Sequence, residues 1–199
     1  AHDGRDYEVD GANGNNSSMA LTPLRFLAEP RWRVTGFLSV AAALNYADRL
    51  AISAVFPALR EELHLSDVTL GLVGSLFLWS YALASPVAGL LADRFSRSRL
   101  VILSLVLWSG ITALTGVTNG LIMLCVLRIA LGLSESMYLP SAVALLAAHH
   151  GPATRARAIS THSIGLNMGV DLGGPRAGIL AEHYGWRTGF WILGGGGIA

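Results

Sequence analysis

Six apolar blocks separated by short polar segments follow residue 33, and they constrain the fold more than any other feature of the sequence. A helix needs about 20 apolar residues to cross the roughly 30 Å of hydrocarbon in a bilayer, and five of the blocks are that long. The sixth block opens at Trp186 and has only about half that length at Ala199, so we expect a fragment that stops inside a helix. The predicted spans are residues 34–59, 70–92, 100–117, 121–148 and 156–181, and an incomplete span from residue 186.

Composition supports a membrane protein and disfavours several other classes. Apolar residues make up 52% of the chain and charged residues 14%, and the mean hydropathy is +0.51. A net charge of +1 and the lack of a basic and aromatic face give no reason to expect nucleic acid as a partner. No nucleophile, base and acid occur together, so an enzyme is not expected, and no cofactor is predicted.

The few residues that suggest a metal or a disulfide have simpler explanations. Cys125 is the single cysteine, so no internal disulfide is possible. His149 and His150 are adjacent and lack further ligands at zinc-like spacing, so both are expected in a solvated turn and no metal site is predicted.

Residues 1–22 are predicted to be a disordered polar tail, because they are rich in Gly, Asn and Asp and lack apolar periodicity. The true start is either Ala1 or Met19. Residues 23–33 are expected to form a short basic stretch at the membrane interface, and residues 23–199 form the transmembrane bundle.

Arginines near the ends of the spans predict the orientation. Eight of them fall in segments on one side and two on the other. By the positive-inside rule, this bias puts the N-terminus on the cytoplasmic side of a cell (inner) membrane. The eight are Arg25, Arg31, Arg33, Arg94, Arg97, Arg99, Arg155 and Arg157, and the two are Arg60 and Arg187.

A glycine, an aspartate and three arginines stand at fixed spacing between the second and third spans. This segment resembles the signature loop of the major facilitator superfamily, G-x-L-a-D-R-x-x-R-x-R. Physically, the glycine permits close helix approach, the aspartate suits a helix N-terminus or an arginine, and the arginines favour the cytoplasmic side. We assign this gate motif to Gly89, Asp93, Arg94, Arg97 and Arg99.

The first and fourth predicted spans contain four ionisable residues: Asp48 and Arg49 in the first, and Arg128 and Glu135 in the fourth. Each such charge costs about 2.5–3.5 kcal/mol at mid-bilayer, so four of them predict a polar cavity rather than lipid exposure. Adjacent residues point about 100° apart on a helix, so Asp48 and Arg49 should find separate partners on other helices. A purely structural Asp48–Arg128 pair, or an Arg128 that reaches the interface, is the alternative.

The run Asn45-Tyr46-Ala47-Asp48-Arg49, together with R-x-x-x-G-x-x-E from Arg128 to Glu135, resembles the anion:cation symporter group and its spinster-related neighbours. The resemblance covers residues 31–199 and includes Tyr184-Gly185-Trp186-Arg187. It implies that Asp48 and Glu135 carry protons and that Arg49 and Arg128 hold an anionic substrate. Asn45, Tyr46 and Tyr138 join them as predicted substrate-binding residues.

The fifth span carries small residues every fourth position, including Gly165, Gly169 and Gly173, and is predicted to pack backbone to backbone. The superfamily resemblance places this helix against the missing second half, as part of a rocking interface. The segment from Gly173 to Gly178 resembles in part the G-P-x-x-G element of drug:proton antiporters. Asp171 and Arg176 form either a structural pair or a contact to substrate. His162 is either a packed, hydrogen-bonded residue or a proton relay.

The sequence therefore predicts an all-α membrane protein, a six-helix bundle of two three-helix repeats that pairs with a second bundle. The predicted function is proton symport of a small organic anion, such as a sugar acid or another carboxylate, by alternating access. A spinster-like lipid or amphiphile exporter, a drug:proton antiporter and a non-transporting sensor are the rivals. The fragment alone is not expected to transport.

Overall fold

The structure is a computed structural model that describes residues 29–198. The predicted tail at 1–22, Met19 and Arg25 lie outside these residues. The regular structure of the described range is helical. Its helices are α1 (Pro30–Ala54), α2 (Phe56–Leu63), α3 (Asp67–Arg94), α4 (Arg97–Thr115), α5 (Leu121–Ser136), α6 (Tyr138–His149), α7 (Pro152–Tyr184) and α8 (Trp186–Ile198).

Two predicted spans are each built from two helices. The regular helix is interrupted at Val55 in the first span and at Met137 in the fourth, and each interruption is called a break below, although Met137 keeps helical dihedrals of φ −76° and ψ −21°. Pro57 and Pro140 lie in the first turns of α2 and α6. Amide hydrogens in a first turn have no acceptor within the helix, so a proline, which lacks this hydrogen, is compatible with a new helix start there.

The helices extend beyond the apolar blocks that predicted them. The first begins at Pro30, within the stretch predicted to be interfacial, and α7 runs from Pro152 to Tyr184. α3 begins at Asp67 because the Ser66 hydroxyl accepts a hydrogen bond from the Thr69 amide at 3.2 Å. Polar caps and charged first and last turns continue a helix past the apolar block, so hydropathy alone underestimates its length.

Within the described residues, three stretches are both long and apolar enough to cross a membrane: α3, α4 and the combined Leu121–His149. α1 has 25 residues and α7 has 33, which is long enough at about 1.5 Å per residue. Both carry ionisable residues, such as Asp48 and Arg49 in α1 and Asp171 and Arg176 in α7, that lower their hydropathy. The six predicted spans therefore stay a prediction.

The helices pack in three principal pairs, α1 with α7, α3 with α5, and α4 with α8. Suppose that α1, α3 and α4 form one repeat, and that α5–α6, α7 and α8 are the equivalent helices of the other. Exchanging the two repeats then turns the α1–α7 pair into the α3–α5 pair, and it leaves the α4–α8 pair unchanged. This is the pattern that two three-helix repeats produce. Large apolar side chains such as Trp79, Leu83 and Ile122 are 68%, 72% and 82% exposed, whereas many polar residues are buried between the helices.

Candidate functional site

The four ionisable residues of the first and fourth spans meet inside the bundle. Asp48 and Arg49 lie on α1, and Arg128 and Glu135 lie on α5. The exposed fractions of Asp48, Arg128 and Glu135 are 1%, 1% and 0%. Two carboxylates and two guanidinium groups balance in charge, which reduces the cost of burying them together.

Arg49 forms an ion pair with Glu135. The distance from Arg49 Nε to Glu135 Oε2 is 2.7 Å, and the Arg49 side chain retains 16% exposure. Its guanidinium lies 4.7 Å from the ring centre of Tyr46, 5.3 Å from that of Phe77 and 4.4 Å from that of Tyr81. Aromatic faces attract a cation, so the three rings help to hold Arg49 where it meets Glu135.

Asp48 takes a different partner, as the 100° offset from Arg49 requires. Its Oδ2 accepts a short hydrogen bond from the Thr112 hydroxyl on α4. Its Oδ1 is buried and has no hydrogen-bond partner among the described residues. Asp48 thus keeps a free acceptor inside the bundle.

Arg128 is buried without a direct ion pair in the described part of the chain. Its Nε and Nη2 lack hydrogen-bond acceptors there. Asp48 and, less strongly, Glu135 interact with it electrostatically, and its guanidinium lies 6.0 Å from the Phe190 ring centre. An unpaired buried guanidinium is costly, so this group has an unused capacity to bind an anion.

Asn45 and Tyr138, both predicted to bind substrate, differ in their surroundings. Asn45 is buried one turn before Arg49, and both of its amide atoms lack partners within residues 29–198. The Tyr138 hydroxyl donates to the Leu38 carbonyl at 2.6 Å and lies 3.2 Å from His162 Nε2. Tyr138 is therefore engaged in contacts between helices, and its role at the substrate stays a prediction.

The residues of the signature loop lie at the end of α3 and the start of α4. Arg97 donates to the Ala144 carbonyl of α6 at 3.3 Å. Asp93, Arg94 and Arg99 are exposed and form no ion pair with other described residues. A side chain added at Gly89 would meet none of the described atoms within 4 Å. The close approach expected at Gly89 is therefore not made between described helices, and the gate role stays a prediction.

The small residues of α7 pack against α1. A Cβ added at Gly165, Gly169 or Gly173 would collide with the main chain of Ser39, Ala43 or Ala47. This helix contact requires glycine, because any side chain would push the two backbones apart. The structure differs from the expectation that this ridge faces the missing half, since α1 of the same bundle covers it.

Four further polar residues considered in the sequence lie in α6, in α7 and in the turn between them: His149, His150, Asp171 and Arg176. Asp171 and Arg176 are both exposed and do not pair with each other, so the intrahelical pair is not formed. His149 is exposed as expected, but His150 is 1% exposed, which corrects its placement in a solvated turn. His150 Nε2 lies 2.9 Å from the Thr35 hydroxyl, because the α6–α7 turn folds back onto α1.

Three residues of the site were not anticipated from the sequence. Phe77 and Tyr81 lie four residues apart on α3 and face Arg49, and Thr112 on α4 faces Asp48. A signal for Thr112 exists in the sequence, since Ser104, Trp108 and Thr112 recur every four residues and form one buried face of α4. The aromatic pair gives no comparable signal, because aromatic residues in an apolar helix usually face lipid or core.

Comparison with known proteins decides the family. The family model described as Major Facilitator Superfamily matches residues 38–199. The chain belongs to this superfamily. It is accordingly an integral, multi-pass membrane protein of a transporter family rather than an enzyme.

Several relatives are named for the anions that they transport. The chain is 29% identical to the "Probable galactarate/D-glucarate transporter GudP" of Bacillus subtilis, over 90% of this chain and 41% of that protein. It is 32% identical to the "Probable sulfoacetate transporter SauU" of Cupriavidus necator, over 82% of this chain and 38% of that protein. The chain thus spans about two fifths of the length of these curated relatives.

A solved structure is similar as well. The chain matches the inward-facing, occupied crystal structure of a bacterial homologue of the human lysosomal transporter Spinster with a TM-score of 0.76 and 27% identity. The match covers 84% of this chain and 42% of that chain.

Proposed function

We propose that the full-length superfamily member is a secondary transporter that moves a small organic anion, such as a sugar acid or another carboxylate, together with protons. The observation that carries this proposal is Arg128, which is buried without an acceptor for two of its donor nitrogens. A carboxylate is the natural ligand of such a group, because the planar guanidinium offers forked donors to its two oxygens.

Arg49 supplies the coupling. It is already bound to Glu135, so an incoming anion has to compete with that carboxylate for the guanidinium. Protonation of Glu135 removes the negative charge that holds Arg49 and frees it for the substrate. Asp48 plays the matching part for Arg128, with which it interacts electrostatically. Asn45 and Tyr46 lie beside these groups and are placed to contact the rest of the substrate.

The site is half of a binding cavity in this proposal. The partners are the organic anion, protons, the lipid bilayer and the second half of the same transporter, which would cover the cavity from the other side. The N-terminus and the loop at Asp93 face the cytoplasm, since Arg94, Arg97 and Arg99 gather at that end of the bundle. The relatives named for sugar acids and sulfoacetate support an organic anion as substrate.

A second candidate is an exporter of amphiphilic molecules. The similarity to the spinster homologue favours it. The four charges within the bundle favour the organic anion, because an amphiphile would need a more apolar site.

A proton-flux measurement tests the organic-anion candidate. The full-length protein is reconstituted in liposomes that contain a pH-sensitive dye, and D-glucarate is added outside without an initial pH gradient. Symport predicts that the lumen acidifies as D-glucarate enters, and that liposomes containing the Arg128→Ala variant show no such signal. Alkalinisation would indicate antiport, and D-glucarate entry without any pH change would contradict the proton coupling.

A further inference from the structure

The break in the fourth predicted span lies beside the proposed proton carrier. α5 ends at Ser136 and α6 begins at Tyr138, so Glu135 is in the last turn before the break. A helix end leaves carbonyl groups without intrahelical partners, and one of them is satisfied from another helix. The buried Ser104 hydroxyl of α4 donates to the Ser134 carbonyl at 2.7 Å.

The far side of the break is held by Tyr138. Its ring makes an edge contact with Trp108 of α4, with the ring centres 5.6 Å apart, and stacks on His162 of α7 at 5.9 Å. Its hydroxyl donates to the Leu38 carbonyl of α1 at 2.6 Å. One side chain thus connects α6 to three other helices.

The direction of the hydrogen bonds determines the state of His162. A carbonyl oxygen can only accept, so the Tyr138 hydroxyl hydrogen points to Leu38. The Tyr138 oxygen must therefore accept the contact at 3.2 Å from His162 Nε2, which means that Nε2 carries the hydrogen. His162 is 1% exposed and belongs to none of the ion pairs formed among the described residues.

We propose that His162 is a positioning residue: through Tyr138 it fixes the break after Glu135 and so sets where Glu135 meets Arg49. Leu38 and Arg49 both lie on α1. The Arg49–Glu135 pair therefore connects the end of α5 to α1, and the Tyr138–Leu38 hydrogen bond connects the start of α6 to the same helix. His162 supplies the donor that orients the tyrosine and does not itself carry the transported proton. This inference rests on the proposed role of Glu135 in transport.

The test measures the break itself in the full-length protein. Hydrogen–deuterium exchange is followed by mass spectrometry at residues 134–138 in the wild type, His162→Leu, His162→Gln and Tyr138→Phe. Leu removes the donor and Phe removes the hydroxyl, so both should exchange about tenfold faster, which corresponds to the loss of one net hydrogen bond. Gln can place its amide nitrogen near the position of Nε2, so His162→Gln should exchange like the wild type.

The double variant His162→Leu/Tyr138→Phe provides the control for a shared link. Its exchange should be no faster than that of either single variant, because both single changes break the same chain of contacts. Unchanged exchange in His162→Leu and Tyr138→Phe would overturn the inference, and so would His162→Gln behaving like His162→Leu.

Transport by the same variants separates positioning from proton carriage. With D-glucarate as the probe, positioning predicts that His162→Leu slows exchange and uphill accumulation together, and that His162→Gln restores both with the wild-type pH profile. If both variants lost accumulation but kept exchange, His162 would be a proton carrier and the inference would fail. The deuterium measurement needs no substrate, so its failure is distinct from failure of the proposed transport.

Discussion

At the scale of single residues, the site is defined by which polar atoms have partners and which do not. Among the described residues, Arg49 pairs with one oxygen of Glu135 and leaves Oε1 without a partner, whereas Arg128 keeps two unpaired donors and Asn45 its whole amide group. Unpaired buried groups are costly and rare in folded proteins. Their concentration around one buried quartet of charges is therefore the strongest indication of where a substrate would bind.

The contact between Thr112 and Asp48 leads to a prediction about stability. Thr112→Val keeps the shape of the side chain but leaves both oxygens of the buried Asp48 without a donor among the described residues. The variant should lose about 1–3 kcal/mol of unfolding free energy, measured by denaturation in detergent. Thr115→Val is the matched control, because the one hydrogen bond of the Thr115 hydroxyl within residues 29–198 goes to the Ile111 carbonyl of its own helix. Equal losses in the two variants would contradict the role given to Thr112.

The sequence identifies the charged residues of the site but not their pairing. An ionisable residue in an apolar block is a strong local signal, and it marks Asp48, Arg49, Arg128 and Glu135. Which acid meets which arginine depends on how α1 and α5 are rotated within the whole bundle, and no local pattern encodes that. Tyr138 is predicted to bind substrate, but its hydroxyl donates to the Leu38 carbonyl of α1, a contact that depends on how α1 and α6 pack.

At the scale of the helices, close packing between α1 and α7 depends on glycine. Gly169→Ala would drive a methyl group into the main chain of Ala43, and should cost about 1–3 kcal/mol of unfolding free energy. Gly178→Ala, on the same helix with open space around it, should be neutral or stabilise by up to about 1 kcal/mol. Thermal unfolding of both variants in detergent tests this, and an unaffected Gly169→Ala would mean that the helices do not approach as closely as described.

A cluster of polar contacts joins α2, the α4–α5 turn and α8. Glu62 accepts hydrogen bonds from the Trp186 indole at 2.7 Å and from Arg187 Nη1 at 2.8 Å, and Arg187 Nη2 donates to the Thr118 carbonyl at 3.0 Å. The hydrogen bonds from Trp186 and then Arg187 hold the pKa of Glu62 below its ordinary value of 4.5. The cluster should therefore remain intact at mildly acidic pH.

This lowered pKa predicts a pH dependence with a definite sign. A group whose pKa is lower in the folded state stabilises the protein above its unfolded pKa, and that contribution is lost as the pH falls through the folded value. Glu62→Gln should thus lower the melting temperature at pH 7, and its difference from the wild type should shrink as the pH falls below 4.5 through the lowered pKa of Glu62. Glu61→Gln, a change to an exposed neighbour, should show no such trend. A constant difference at all pH values would contradict the prediction.

At the scale of the whole molecule, the fold was largely predictable, because apolar blocks and turn positions are local signals of transmembrane helices. The exceptions arise from tertiary contacts. The α7 ridge could equally face a missing partner or a helix of its own bundle, and periodicity cannot distinguish the two. His150 was expected in a solvated turn, but the turn folds onto α1 and buries it against Thr35.

Accumulation and exchange of D-glucarate test whether the buried carboxylates couple an organic anion to protons. D-Glucarate accumulation and exchange are measured in liposomes that contain the full-length protein or its Glu135→Gln variant. Proton coupling through Glu135 predicts that Glu135→Gln loses uphill accumulation driven by a pH gradient and keeps measurable exchange, because Arg49 no longer has a carboxylate that releases it on protonation. Accumulation by Glu135→Gln with the wild-type pH dependence would contradict proton coupling through Glu135 and assign the buried charges to structure.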